Sequence, residues 1–327
     1  MSNNSEETLL ASPGVLFHIP ESCVRKVEEV EEEIFLLYTL RYAKEEDLGI
    51  LEQKSDVVNL TFKLAVSTHE TRLSNTGKSR EITLDVFQNC TALRSRVGDT
   101  GSVVWRSSVY FAEHMLRQLW GYWPPSRPRL FQTGALSGCK ILELGAGTGV
   151  LPTCLLSDPG WITSVNAPLQ WIATDQYDNL PVIEKNLFNS VKKHPHVQAT
   201  ACELDWLQIH NFGNDKRSQR LKSEYALHIL RRFSSKDDTV EYPDLIVCID
   251  CVFNPALHSP LISTLNTFCE PRKTVILLIA QLRDVDNTRS FLGVWTEQVG
   301  YEIYHLEDEL MPPNMQRGYA AWVAWRS

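Results

Sequence analysis

The sequence predicts an α/β fold: a mostly parallel sheet with helices on both faces, joined to a β-rich N-terminal extension. Three observations carry this. Short apolar runs at 140–144, 170–174, 197–204, 244–250 and 274–280 alternate with helical patterns near 149–157, 177–190, 256–268 and 288–299. Strands that alternate with helices need crossovers, and these lay the helices over a parallel sheet. Tyr301–His305 and Ala320–Trp325 read as two more strands, seven in all. The run Lys140-Ile-Leu-Glu-Leu-Gly-Ala-Gly-Thr-Gly149 then turns a strand straight into a glycine-rich loop and a helix, as open α/β sheets do where they receive nucleotide-like ligands.

Residues 1–100 are read as a tail and β-rich extension, and 101–327 as the main domain. Met1 to Glu7 is polar, and Lys26-Val-Glu-Glu-Val-Glu-Glu-Glu33 is an acidic run read as a solvated helix face. Val58, Leu60, Phe62, Leu64 and Val66 alternate with polar or small residues, and Ile82, Leu84 and Val86 do so after the turn-rich 74–79. That period of two predicts antiparallel strands. Trp105, Val109, Ala112, Leu116 and Leu119 predict a helix over 103–120, which the three prolines of 121–128 end.

The stretch 213–242 reads as a basic helical insertion. Seven basic residues between Lys216 and Lys236 meet Glu224 alone, while Leu221, Tyr225, Ile229 and Phe233 recur every fourth position behind Asp215 as N-cap. The apolar stripe is expected to dock on the domain. The basic face is either solvated or contacts a substrate protein or ribosomal RNA over 216–236.

Composition narrows the classes. Of 327 residues 43% are hydrophobic and 22% charged, close to average globular usage, which excludes disordered and fibrous chains. Forty acidic against 32 basic residues give a net charge of −8, which opposes wholesale binding to a phosphate backbone. Eight scattered cysteines suit a reducing compartment. The start lacks a signal-peptide order, and the longest apolar stretches fall short of the roughly 18–20 residues that span a bilayer. The expectation is a cytoplasmic monomer, with the nucleus as a second location, and no membrane association.

Gly145, Gly147 and Gly149 permit a tight turn and close approach of a ligand. A dinucleotide fingerprint would want glycine at 150, where Val150 stands. Glu143 ahead of GxGxG suits instead a ligand with a cationic amino-acid end, which favours S-adenosyl-L-methionine over NAD. Asp175 ends the next strand, where a carboxylate can accept from both hydroxyls of a ribose; the bland alternative is a turn residue capping a helix. Cys248-Ile-Asp-Cys251 is formally CxxC, but a three-residue offset on a strand points to opposite faces and no second ligand pair is near, so no metal is expected. His114 and His228 are read as satisfied or solvent-facing.

In order and spacing these features resemble the seven-strand S-adenosylmethionine-dependent methyltransferases, with their Rossmann-like sheet. Within them they resemble the protein-lysine methyltransferases marked by a DxxY motif, most of all those acting on fungal ribosomal proteins. The resemblance spans roughly 100–325. It rests on Val104-Trp-Arg-Ser-Ser108, Glu143-Leu-Gly-Ala-Gly-Thr-Gly149, Thr174-Asp175 with Glu184-Lys-Asn186, Glu203-Leu-Asp-Trp206, and Asp250-Cys-Val-Phe253. It implies that Trp105 and Trp206 pack near the cofactor and that Glu143 and the glycines hold its methionine and ribose portion. Asp175 would take the ribose hydroxyls, Asp205 the adenine side, and Asp250 the substrate amine. Phe253 departs from the family by replacing tyrosine. It keeps an aromatic wall but loses a hydrogen bond worth about 0.5–1.5 kcal/mol.

Lysine, with a pKa near 10.4, must give up a proton at a cost of roughly 4.6 kcal/mol at pH 7 before its lone pair is available. A bare carboxylate would make this harder, so Asp250 is cast as an orienting acceptor. Three rivals stay open: methylation of another nitrogen (histidine, an N-terminal amine or a nucleobase), a catalytically inactive cofactor-binding scaffold for a protein partner, and an NAD-dependent oxidoreductase.

Overall fold

A computed structural model describes residues 8–10, 12–14, 16–17, 19–43, 48–65, 79–96, 98, 100–131, 134–162, 168–191, 196–233 and 240–327. Val66, most of the turn at 74–79, the first seven residues and Lys236 lie outside the described residues. In chain order the main elements are β1 (Val24–Lys26), α1 (Val30–Leu36), β2 (Val57–Leu64), β3 (Arg80–Phe87), α2 (Cys90–Ser95), α3 (Arg106–Leu119), β4 (Lys140–Leu144), α4 (Val150–Leu156), β5 (Leu169–Asp175) and α5 (Leu180–Ser190). There follow β6 (Val197–Glu203), α6 (Trp206–Asn211), α7 (Lys216–Leu230), β7 (Leu245–Ile249), α8 (His258–Phe268), β8 (Val275–Gln281), α9 (Val285–Thr296), β9 (Tyr301–Leu306) and β10 (Tyr319–Arg326).

The main sheet runs β1-β9-β10-β8-β7-β4-β5-β6. Strands β4 to β8 pair in parallel, and β10 and β9 add antiparallel strands beside β8. All seven expected strands are present, and β1 makes an eighth by pairing antiparallel with β9. Chain order reverses between β4 and β7, the switch point beyond whose strand ends a ligand of such a sheet sits.

The inner strands β7 and β8 are buried at every position because helices cover both faces there. Ile141, Val247 and Leu277 join a core with α3, α4 and α5, whereas Leu142, Cys248 and Leu278 join another with α1, α7, α8 and α9. The β2–β3 hairpin pairs in full register and turns Val58, Leu60, Phe62, Leu64, Ile82, Leu84 and Val86 into the first of these cores. The extension therefore shares the hydrophobic interior of the main sheet.

Two readings of charged segments need correction. The acidic run is not wholly solvated: Glu33 is fully buried, accepts from Trp322 Nε1 at 3.0 Å, bonds His305 Nδ1 at 2.6 Å and pairs with Arg25. Burial would raise its pKa, but His305 and Arg25 outweigh that and hold it at about 2. Polarity alone could not separate this position from its exposed neighbours. Helix α7 begins on Asp215, whose Oδ1 accepts from the amides of Arg217 and Ser218 at 3.0 and 3.1 Å. Its buried stripe comprises Ala226, Ile229, Leu230 and the following Phe233, while Leu221 is exposed rather than docked. Among the described residues no helix is long and apolar enough to cross a membrane.

Candidate active site

The carboxyl ends of β4, β5 and β7 open into a cavity of about 530 Å³, within the usual range for small-molecule sites. Trp105, Gly145, Gly147, Asp175, Asp205, Trp206, Asp250 and Phe253 all line it. The chain brings them together because a parallel sheet aligns its strand ends, whatever their separation in sequence.

The glycine turn owes its shape to steric necessity. Gly145 and Gly147 have φ of +66° and +59°, in the left-handed region that side chains disfavour. A Cβ on Gly145 would stand 2.8 Å from Cys251 Sγ and 3.3 Å from the Trp206 ring. On Gly147 it would lie 3.1 Å from the carbonyl oxygen of Gly101. Asp175 ties the turn down, since its Oδ2 accepts from the Gly147 amide at 2.7 Å. Its Oδ1 accepts from Gln176 N and Asn179 Nδ2, each at 2.8 Å. The carboxylate is thus oriented from both sides. Asp205 caps α6 through Oδ1, with the Leu207 amide at 2.8 Å, and its own amide donates to Tyr225 Oη at 3.0 Å. Trp105 is fixed by donating from Nε1 to the Thr100 carbonyl at 2.7 Å.

Two expected cofactor residues are not in the wall. Glu143 is buried beneath the turn, where Oε2 accepts from Trp171 Nε1 at 2.9 Å. Burial, reinforced by the charge of Asp175 and only partly offset by the indole, raises its pKa to about 8, so near neutral pH it is mainly an uncharged structural group. Gly149 also serves packing: a Cβ there would meet Ile183 Cγ2 at 2.9 Å, so it lets α4 approach α5.

At the carboxyl end of β7, the Asp250 side chain is 6% exposed and φ is +59°. Arg283, which sequence reasoning missed, meets it as a fork: Nη1 to Oδ1 at 2.7 Å and Nη2 to Oδ2 at 2.6 Å. The Gln281 amide also donates to Oδ1, at 3.2 Å. Asp250 is therefore not a bare carboxylate. Phe253 is 40% exposed at the cavity wall. Cys251 donates from Sγ to the Leu144 carbonyl at 3.2 Å, and burial raises its pKa well above the thiol range, so it is no nucleophile. All eight cysteines are buried, and among the described residues no three His, Cys, Asp or Glu are grouped to hold a metal. His114 is buried with Nε2 hydrogen-bonded to Gln118 Nε2 at 2.8 Å, and His228 is exposed.

The donor set fits S-adenosyl-L-methionine. The glycine turn lines the cavity with backbone, Asp175 offers an oriented carboxylate to a ribose diol, and Trp206 and Leu204 supply apolar wall. Comparison with known proteins agrees. Residues 88–220 match the family model described as lysine methyltransferase. The match covers the glycine turn, Asp175 and Asp205. It is also 28% identical over 277 residues to the diaminohydroxyphosphoribosylamino-pyrimidine deaminase of Schizosaccharomyces pombe, covering 84% of this chain and 53% of that protein. The chain thus spans about half the length of that curated relative.

Similar solved structures include a putative SAM-dependent methyltransferase from Streptococcus mutans, at 12% identity, 74% and 53% coverage of the two chains and a TM-score of 0.38. Another is the SAH-bound methyltransferase of Podospora anserina, at 10% identity, 57% and 71% coverage and a TM-score of 0.33.

Proposed function

We propose that the methyltransferase domain methylates a protein lysine, with a ribosomal or translation-related protein as substrate. The observation that supports this most is that Asp250 and Phe253 share one cavity with the glycine turn and Asp175. S-adenosylmethionine, held by the residues above, would supply an electrophilic methyl group, its sulfur keeping the C–S electron pair. The protein's part is placement, which can account for much of such a rate enhancement.

Asp175 and the glycine amides fix one end of the cavity, and Trp105 and Trp206 narrow it against water. Phe253 offers a flat apolar face to the lysine stem. Asp250 Oδ2 accepts one hydrogen bond, from Arg283, so a lone pair remains to take an amine N–H. The proton shed by the methylated nitrogen passes to solvent at the open side.

The basic face of α7, reached from the cavity through the Asp205–Tyr225 hydrogen bond, is proposed to meet the substrate protein or adjoining ribosomal RNA. The enzyme is proposed to act as a cytoplasmic monomer. Deamination belongs to the relative named above. Zinc deaminases need three His or Cys ligands, and the described residues hold no such group.

Labelled-methyl transfer to a ribosomal extract tests the reading. Asp250→Ala is expected to lower incorporation at least about a hundredfold, the cost of misplacing an acceptor, while S-adenosylhomocysteine affinity stays within about threefold because that side chain holds the acceptor end. Undiminished labelling by the variant would remove Asp250 from the mechanism.

A further inference from the structure

The pairing of Asp250 with Arg283 carries an inference about how the acceptor is recognised, and it rests on the amine-methylation reading above. Asp250 is a non-glycine residue held at φ +59°. Its amide donates to the Ile279 carbonyl at 2.7 Å, and the Gln281 amide returns a bond to Oδ1. The guanidinium of Arg283 lies 5.3 Å from the centre of the Trp105 ring, within cation–π reach. Gly49 closes the other side: a Cβ there would meet Gln281 Oε1 at 2.8 Å and Arg283 Nη2 at 3.6 Å. Its carbonyl accepts from Arg106 N at 2.9 Å. Four separate segments thus fix one ion pair in the cavity wall.

We propose that Asp250 and Arg283 form a charge-balanced acceptor unit, in which Arg283 is a positioning residue that lets Asp250 orient an amine without stabilising it as ammonium. An unpaired carboxylate would bind the protonated amine most tightly, and that form has no lone pair to attack the methyl. A bidentate guanidinium cancels the charge yet leaves Oδ2 an acceptor site. The acceptor is therefore selected by hydrogen bonding and by the apolar stem contact with Phe253, rather than by its positive charge.

The test uses calorimetric titration of the full chain with two ligands: S-adenosylhomocysteine, and sinefungin, in which an amine-bearing carbon replaces the methylated sulfur. The readout is the ratio of the two affinities, which general damage to the cavity does not move. Arg283→Gln is expected to favour the amine-bearing ligand about tenfold relative to wild type, the effect of one uncompensated nearby charge in a partly solvated site. Arg283→Lys should keep the wild-type ratio, and the double variant D250N/R283Q should restore it. Should Arg283→Gln not fold, Asp250→Asn decides the matter, because it leaves the opposite charge and should disfavour the amine about tenfold. An unchanged ratio in Arg283→Gln, or in Asp250→Asn where that variant decides, overturns the proposal while the cofactor site stands. Failure of the wild type to bind S-adenosylhomocysteine would instead sink the cofactor reading, and this inference with it.

Discussion

Two parts of the cavity wall are built from different materials. Around β4 and β5 the wall is largely a backbone turn, in which Gly145 and Gly147 take left-handed φ and Asp175 accepts from the Gly147 amide and so holds that turn in shape. Around β7 and β8 the wall is a pair of side chains, Asp250 and Arg283, whose charges cancel. A backbone cradle recognises a ligand by fit and changes little with ionic conditions. A paired-charge wall recognises by hydrogen bonding, and its selectivity can be altered by a single substitution. The contrast suits a cofactor that stays constant and an acceptor on which specificity depends.

The comparison breaks most visibly at Gly145. Gly145→Val should weaken S-adenosylhomocysteine binding more than about a hundredfold, because a branched side chain in left-handed backbone adds strain to a 2.8 Å clash with Cys251; calorimetry on a variant with unchanged circular dichroism checks this. Asp175→Ala comes next. It removes the acceptor for Gly147, Gln176 and Asn179, and roughly a tenfold to hundredfold loss of the same affinity is expected for charged hydrogen bonds.

Glu143 sharpens the contrast through stability rather than binding. Its folded pKa, about 8, exceeds the ordinary 4.5, so between these values the folded state holds a proton the unfolded state has lost. Its stabilising contribution is complete below pH 4.5 and falls as pH rises through 8. Glu143→Gln cannot titrate. Its unfolding free energy should therefore gain on the wild type as pH is raised from about 5 to 8, by an amount on the order of a few kcal/mol, read from denaturant unfolding at each pH; a constant gap would show that the carboxyl is not buried uncharged. The smallest effect is expected at Phe253, where Phe253→Tyr should alter kcat/KM by no more than about tenfold, the worth of one hydrogen bond.

The backbone end was largely legible in the sequence. Apolar runs at 140–144 and 170–174 lie within one residue of β4 and β5, and the position of Asp175 at a strand end marked it as a wall residue. Gly149 and Glu143 were misplaced because a motif fixes where residues fall along the chain but not which side of the turn they face. A signal existed for Gly149: the glycine entering such a helix commonly serves close packing. The paired-charge end was half legible. Asp250 stood out after its strand, but Arg283 follows β8 in a loop with no periodic pattern, and only the parallel pairing of β7 with β8 sets the two side by side. Glu33 was hidden for the same reason, since its partners lie on β9 and β10.

The order of strands has a consequence for biosynthesis. The stretch that matches the family, 88–220, contains β4, β5 and β6, but β4 takes its second neighbour from β7 and the outer edge closes only when β1 meets β9. At translation speeds of about 5–20 residues per second, β4 emerges roughly 5–20 s before β7 can cover it. During that interval a strand destined for the centre of the sheet presents an apolar edge, the kind of surface that recruits other chains. The nascent polypeptide is thus most exposed to misassembly before the Asp250–Arg283 wall has been made.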